Sequence, residues 1–192
     1  VAASVKSTLP PVAEKTETSS HLPTVSLPLP ELAYTYWIEG EKSTGAKFQH
    51  SHEQTYEAGD RIAIEVEFSR DGYFYAISQA PELFNGLPVF SSLFPVKKTA
   101  GYLPKVQKGQ ILRIPEGRRI TLQRNQSLEY VWLIFSDVAL PALDNVEPGM
   151  VQDSTVSRKI FDFIRPLRDR EPLTEIDTTL NRTLIRSTDS VV

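Results

Sequence analysis

The chain has 192 residues, 40% of them hydrophobic and 23% charged, with 14 prolines, 9 glycines, no cysteine and a formal net charge of -3. This composition predicts one folded domain of ordinary size, with or without tails, and excludes collagen, a disulfide scaffold and a long coiled coil. The missing cysteines also remove thiol catalysis, zinc knuckles and iron–sulfur ligation, while leaving the redox compartment open.

No run nears the roughly 20 apolar residues of a membrane-spanning helix. A chain that starts at Val1, with its one methionine at Met150, is expected of a processed or excised product. Val1-Ala2-Ala3 also resembles the small-residue end of a signal peptide.

Residues 1–33 hold five prolines, Pro10, Pro11, Pro23, Pro28 and Pro30, among Ser, Thr, Val and Leu without a regular hydrophobic period. Such a stretch cannot propagate a helix, and it reads as an extended linker of polyproline character. Leu22, Val25, Leu27 and Leu29 leave open the alternative that this run lies against the domain or docks on a partner.

From Tyr34 the texture changes to short apolar runs separated by turn residues. Tyr34 to Ile38 and Ala46 to Gln49 predict two strands around a Ser-Thr-Gly turn. Arg61 to Phe68 alternates strictly, with Ile62, Ile64, Val66 and Phe68 on one face and Arg61, Glu65 and Glu67 on the other, the period-2 pattern of a half-buried strand. Asp71-Gly72 then leads into Tyr73 to Ser78, which predicts a β-hairpin.

Pro81 to Pro95 is looser, with Asn85-Gly86 and Pro88 around a short strand over Val89-Phe90 to Leu93-Phe94, and a long loop is expected from there to Lys108-Gly109. Ile111 to Ile114, Arg119 to Leu122 and Glu129 to Ser136 continue the strands, and the last, apolar on both faces, is expected to be central and covered on each side. Asp153-Ser154 supplies a helix cap, after which Val156, Ile160, Phe161 and Ile164 recur at helical spacing until Pro166. Thr183 to Arg186 reads as a short strand or a frayed tail.

The predicted fold is all-β: an antiparallel, immunoglobulin-like β-sandwich over 34–143, preceded by the linker 1–33 and followed by a C-terminal helix and tail over 144–192.

Several of these segments, in this order, resemble one family. They are Tyr56 to Ile62 with its Gly59-Asp60, Asp71-Gly72-Tyr73-Phe74-Tyr75, Leu93-Phe94-Pro95, Val106 to Gly109 followed by Ile114-Pro115, and Glu129 to Ser136. Together they resemble the bacterial family of domains of unknown function numbered 4384, over residues 50–140. The resemblance implies an accessory domain, often extracytoplasmic or joined to signalling or proteolytic modules, and it brings no catalytic residue to carry over. The chain departs from that pattern at Gln79 to Ser92, which is longer than the family's short polar turn.

Candidate chemistry is thin. His50-Ser51-His52 with Glu53 lacks the spacing of a structural zinc site, and Glu65 and Glu67 alternate with Arg61 as a solvated sheet face does, so no metal, cofactor or catalytic residue is assigned. No Gly-x-Ser-x-Gly elbow, phosphate loop or dinucleotide fingerprint occurs.

Charge is uneven. Residues 97–124 carry Lys97, Lys98, Lys105, Lys108, Arg113, Arg118, Arg119 and Arg124 against Glu116, whereas 53–71 are mainly acidic. If strands from the two stretches pair, the charges complement one another across the sheet. If instead Arg113, Arg118 and Arg119 gather at an edge, they suit a glycan or other polyanion. Nucleic acid is disfavoured, because Tyr102 alone interleaves the basic run.

Tyr73 and Tyr75 share one strand face and are the candidate platform for a sugar or extended peptide, with packing beneath the C-terminal helix as the structural alternative. The expected function is a non-catalytic accessory or protein-interaction module of a bacterial protein in the periplasm, at the cell surface or secreted. The alternatives are a carbohydrate- or polyanion-binding module and, from the enzyme class, a hydrolase with converging carboxylates. Oligomeric state is left open.

Overall fold

The computed structural model describes residues 31–51, 56–96, 104–122, 130–144, 146, 153–170, 172–189 and 191–192. The linker therefore lies outside the described residues except at its end, where Glu31 to Ala33 already belong to the first strand.

The strands are β1 (Glu31–Glu41), β2 (Lys47–His50), β3 (Arg61–Phe68), β4 (Gly72–Phe84), β5 (Leu87–Phe94), β6 (Lys105–Val106), β7 (Ile111–Ile114), β8 (Ile120–Thr121), β9 (Tyr130–Ser136), β10 (Leu173–Asp177) and β11 (Arg182–Ser187). The helix α1 spans Ser154–Arg168. One sheet has the order β10-β11-β1-β3-β7, with β2 also beside β1 and β8 also beside β3. The other has the order β5-β4-β6, with β9 also paired to β4.

The two sheets pack face to face as a β-sandwich. The alternation in β3 turns Ile64, Val66 and Phe68 inward, where they meet Phe74 and Ala76 of β4, Phe94, Val106 and Phe135. Phe68 stacks edge-on against Phe74 with ring centroids 5.0 Å apart. Each fully buried phenylalanine contributes roughly 2–3 kcal/mol, against about 0–1 kcal/mol for an exposed ion pair. This aromatic seam, rather than the charged surface, is what holds the sheets together.

The opposite face of the second sheet is also covered. Tyr75, Ile77, Phe90 and Ile134 pack with Leu140, Leu143, Val146 and the helix residues Ile160 and Ile164. The result is three layers: sheet, sheet, helix. It explains why β4 and β9 are apolar on both faces. The helix starts where expected, since the Asp153 carboxylate accepts from the N–H groups of Thr155 and Val156. Pro166 sits within its last turn.

Three expectations need correction. Asp71-Gly72 does not close a hairpin: β3 and β4 belong to different sheets, and residues 69–71 carry the chain across between them. Gly72 is required by packing, because a Cβ there would lie 2.4 Å from Cζ of Phe135. Asp71 accepts a hydrogen bond from the Lys108 N–H at 2.8 Å.

Gln79 to Ser92, expected as a loop apart from a short strand over Val89 to Phe94, is a second half of β4 hairpinned to β5; the short strand is found, as part of β5, and the loop before it is not. The turn is Asn85-Gly86, both with positive φ (53° and 76°), the geometry this dipeptide favours. Of the two readings of Thr183 to Arg186 the strand is the one found: β11 lies between β1 and β10, so the stretch after 143 completes both the first sheet and the helical layer. Lastly, β9 is covered on both faces as expected, but β4 is the strand with partners on each side along its length.

Candidate functional site

Arg113 and Arg119 each face acidic side chains of the first sheet. Glu65 pairs in register with Arg113 across β3 and β7. The Arg113 guanidinium bonds the Glu65 carboxylate and also reaches Glu39 at 3.0 Å. Burial raises the pKa of Glu65, Arg113 opposes that shift, and neighbouring Glu39 adds to it. Arg119 lies 3.7 Å from Glu41, whose other oxygen takes Arg61 at 2.6 Å.

Arg182 completes this lattice. It bonds Glu67 at 2.6 Å and covers the ring of Trp37 at 4.1 Å. The outer face of the first sheet is thus a set of matched charges, the cross-strand complementarity expected if the acidic and basic stretches pair. Of Arg113, Arg118 and Arg119, Arg118 alone is exposed. Lys97, Lys98 and Arg124 lie outside the described residues.

The tyrosine pair is no platform. Tyr75 is 1% exposed; its hydroxyl donates to Asp144 at 3.0 Å and accepts from the Leu140 N–H at 2.8 Å. Tyr73 is half-buried against the same helical-side core. His50 stacks on Phe48 with centroids 4.9 Å apart, whereas His52 and Glu53 lie outside the described residues.

The structure brings a different group of residues together, at the outer edge of β9. On its inner side β9 pairs with β4 from Tyr130 to Ser136. On its outer side Phe135 exchanges backbone hydrogen bonds with Val192, and Ser136 bridges to Val191. Because hydrogen-bonding direction alternates along a strand, Leu133 and Val131 point their N–H and C=O the same way as Phe135. Among the described residues no strand pairs with them. The Leu133 carbonyl instead accepts from the Tyr34 hydroxyl at 3.0 Å.

Alongside this open edge lies a pocket of about 330 Å³. Its walls include Trp132 and Leu133 of β9, Leu167 near the end of α1, Ser187 and Asp189 at the end of β11, and Val192. Trp132 is held in place by donating its indole N–H to Gln79 at 2.9 Å. Next to the pocket, Val131 is 37% exposed and Tyr130 50%. An edge that no described strand pairs, beside a largely apolar cleft, is the arrangement that accepts an extended polypeptide as an added strand.

Sequence reasoning missed this site because its walls come from β1, β9, the end of α1 and the last residues of the chain. The available signal was the long apolar strand Tyr130 to Ser136, which reads as central. Which of its edges pairs with β4 depends on a register between residues 51 to 63 positions apart.

Compared with protein-family models, curated proteins and solved structures, the chain has no match. Among the described residues no helix is long and apolar enough to cross a membrane.

Proposed function

We propose that this domain is a non-catalytic interaction module that takes an extended segment of polypeptide along the outer edge of β9. The observation that carries the reading is the pair of outward-facing residues Val131 and Leu133, unpartnered by any described strand and set beside the Trp132-lined pocket. Main-chain hydrogen bonds to that edge would supply affinity, and the pocket would select alternate apolar side chains of the ligand. The resemblance over residues 50–140 supports placing the module in a bacterial protein working outside the cytoplasm. A carbohydrate or polyanion ligand has less behind it, since Tyr75 is buried and Arg113 and Arg119 face acids.

The test is a screen of a library of extended apolar octapeptides against the whole chain, followed by Val131→Pro. That substitution removes an outward donor and leaves the pocket walls intact. Selected peptides are expected to bind the parent chain and to lose about tenfold or more in affinity to the variant, the scale of losing an edge hydrogen bond with its geometry. No selected peptide, or equal binding by a folded Val131→Pro variant, overturns the reading.

A further inference from the structure

We propose that the β9 edge takes the C-terminal end of its peptide ligand: the last, apolar side chain enters the pocket beside Trp132, and the α-carboxylate is bound by Arg168 and Arg170. The inference rests on the strand-accepting edge described above and specifies which part of a polypeptide it accepts.

The first argument is that the edge comes to an end. On the outer side of β9, Phe135 and Ser136 are already paired, by Val192 and Val191. An added strand therefore has only Tyr130 to Ile134 to run along, and beyond Ile134 it meets Val192. The pocket lies at this closed end, with Leu133, Ile134 and Val192 all in its wall. Tyr130 and Val131, at the other end of the stretch, are exposed. A strand entering there and running with β9 brings its C-terminus to the pocket, whereas one running against β9 has its N-terminus there.

Charge selects between the two ends. Among the pocket-lining residues Arg168, Arg170 and Asp189 are charged, two cations to one anion. Arg168 has Asp169 at 3.7 Å and Arg170 has Asp189 at 3.5 Å, longer than a charge-assisted hydrogen bond of roughly 2.7–2.9 Å. On the first sheet, by contrast, Arg61, Arg113 and Arg182 bond their acids at 2.6, 3.0 and 2.6 Å. Both pocket guanidiniums thus keep donor forks for an incoming carboxylate. Arg168 is the last residue of α1, where a cation also offsets the helix dipole. Arg170 lies past the helix end and has no such duty, so it is the sharper probe. The remaining wall is mainly apolar, with Trp132, Leu133, Ile134 and Leu167, which suits an aliphatic or aromatic last side chain.

The test uses the whole chain and octapeptides selected on it, each made with a free C-terminal carboxylate and as the C-terminal amide, and compared by isothermal titration calorimetry. The amide is expected to bind about tenfold more weakly, and Arg170→Gln to weaken the acid form about threefold while leaving the amide unchanged, the scale of partly exposed charge pairs. Arg168→Gln should act in the same direction, Arg158→Gln on the exposed face of α1 should alter neither form, and acetylating the peptide's N-terminus should have no effect.

Equal affinity of the acid and amide forms, a requirement for a free N-terminus, or equal losses of both forms in Arg170→Gln would each overturn C-terminal recognition. In those cases peptide binding that remains sensitive to Val131→Pro leaves the interaction reading standing. Failure of every octapeptide to bind in either form would remove both.

Discussion

Tyr34 of β1 donates a 3.0 Å hydrogen bond to the carbonyl of Leu133 in β9, linking residues 99 positions apart. The bond joins the two sheets beside the pocket and satisfies one outward carbonyl of an edge that no described strand pairs. Burial keeps the phenol un-ionised, raising its pKa well above the usual value, while its ring packs edge-on against Phe74 at 5.9 Å.

Tyr34→Phe should keep that ring contact and lose only the hydrogen bond. The expected cost is about 1 kcal/mol, read as a lower urea midpoint with an unchanged slope. Octapeptide binding should not weaken, because the substitution frees a Leu133 acceptor on the edge itself.

Tyr75 behaves differently although it is also a buried tyrosine. Its hydroxyl is shared between Asp144 and the Leu140 N–H, so Tyr75→Phe strands a buried donor as well as losing a bond. About 2 kcal/mol is expected. Urea unfolding checks the loss, and ligand binding by the folded fraction should be unaltered, as befits a residue that positions the segment above α1 rather than one that touches a partner.

Two glycines separate packing from backbone conformation. Gly72→Ala places a methyl 2.4 Å from Phe135 and 2.7 Å from the Ser136 carbonyl oxygen, and overpacking of this kind costs about 2 kcal/mol or more. Gly86 has open space around its Cβ position but a φ of +76°, so Gly86→Ala should cost only about 1 kcal/mol. Paired thermal denaturation of the two variants tests the order.

The pair Glu65 and Arg113 predicts a pH dependence. Burial raises the folded pKa of Glu65 above 4.5, opposed by Arg113, so the folded chain holds that proton more tightly than the unfolded chain. Its favourable contribution is fully present below 4.5 and is lost as pH rises through the folded value. Arg113→Ala removes the opposing cation and raises the pKa further. We expect a loss of about 2 kcal/mol at neutral pH, less than the roughly 3–5 kcal/mol for a fully buried pair because the guanidinium is partly exposed. Urea titrations at about pH 7 and about pH 5 should show the deficit shrinking as Glu65 takes up its proton.

Local chemistry carried much of the fold. Alternation from Arg61 to Phe68 defined a strand and its inner face, Asp153 capped the helix, and Asn85-Gly86 sits in a hairpin turn, because each depends on neighbours within a few residues. Asp71-Gly72 misled for the same reason. A hairpin turn and a corner between sheets ask for the same dipeptide, and only Phe135, packed against Gly72 from β9, distinguishes them. Tyr73 and Tyr75 looked equivalent on a strand face, yet which face the helix would cover was set by Leu140, Leu143 and Ile160 from later in the chain.

What the sequence determined by itself was the kind of element at each place: a cysteine-free, proline-punctuated run of strands with one capped helix, and charges of opposite sign waiting on two stretches. Tertiary structure decided the pairings. It set Glu65 against Arg113, buried Tyr75, placed β11 between β1 and β10, and left Val131 and Leu133 as an edge beside a pocket. The reason is physical: strand period and turn chemistry act over a few residues, whereas strand register is a balance of burial among residues as much as 156 positions apart, as Glu31 and Ser187 are.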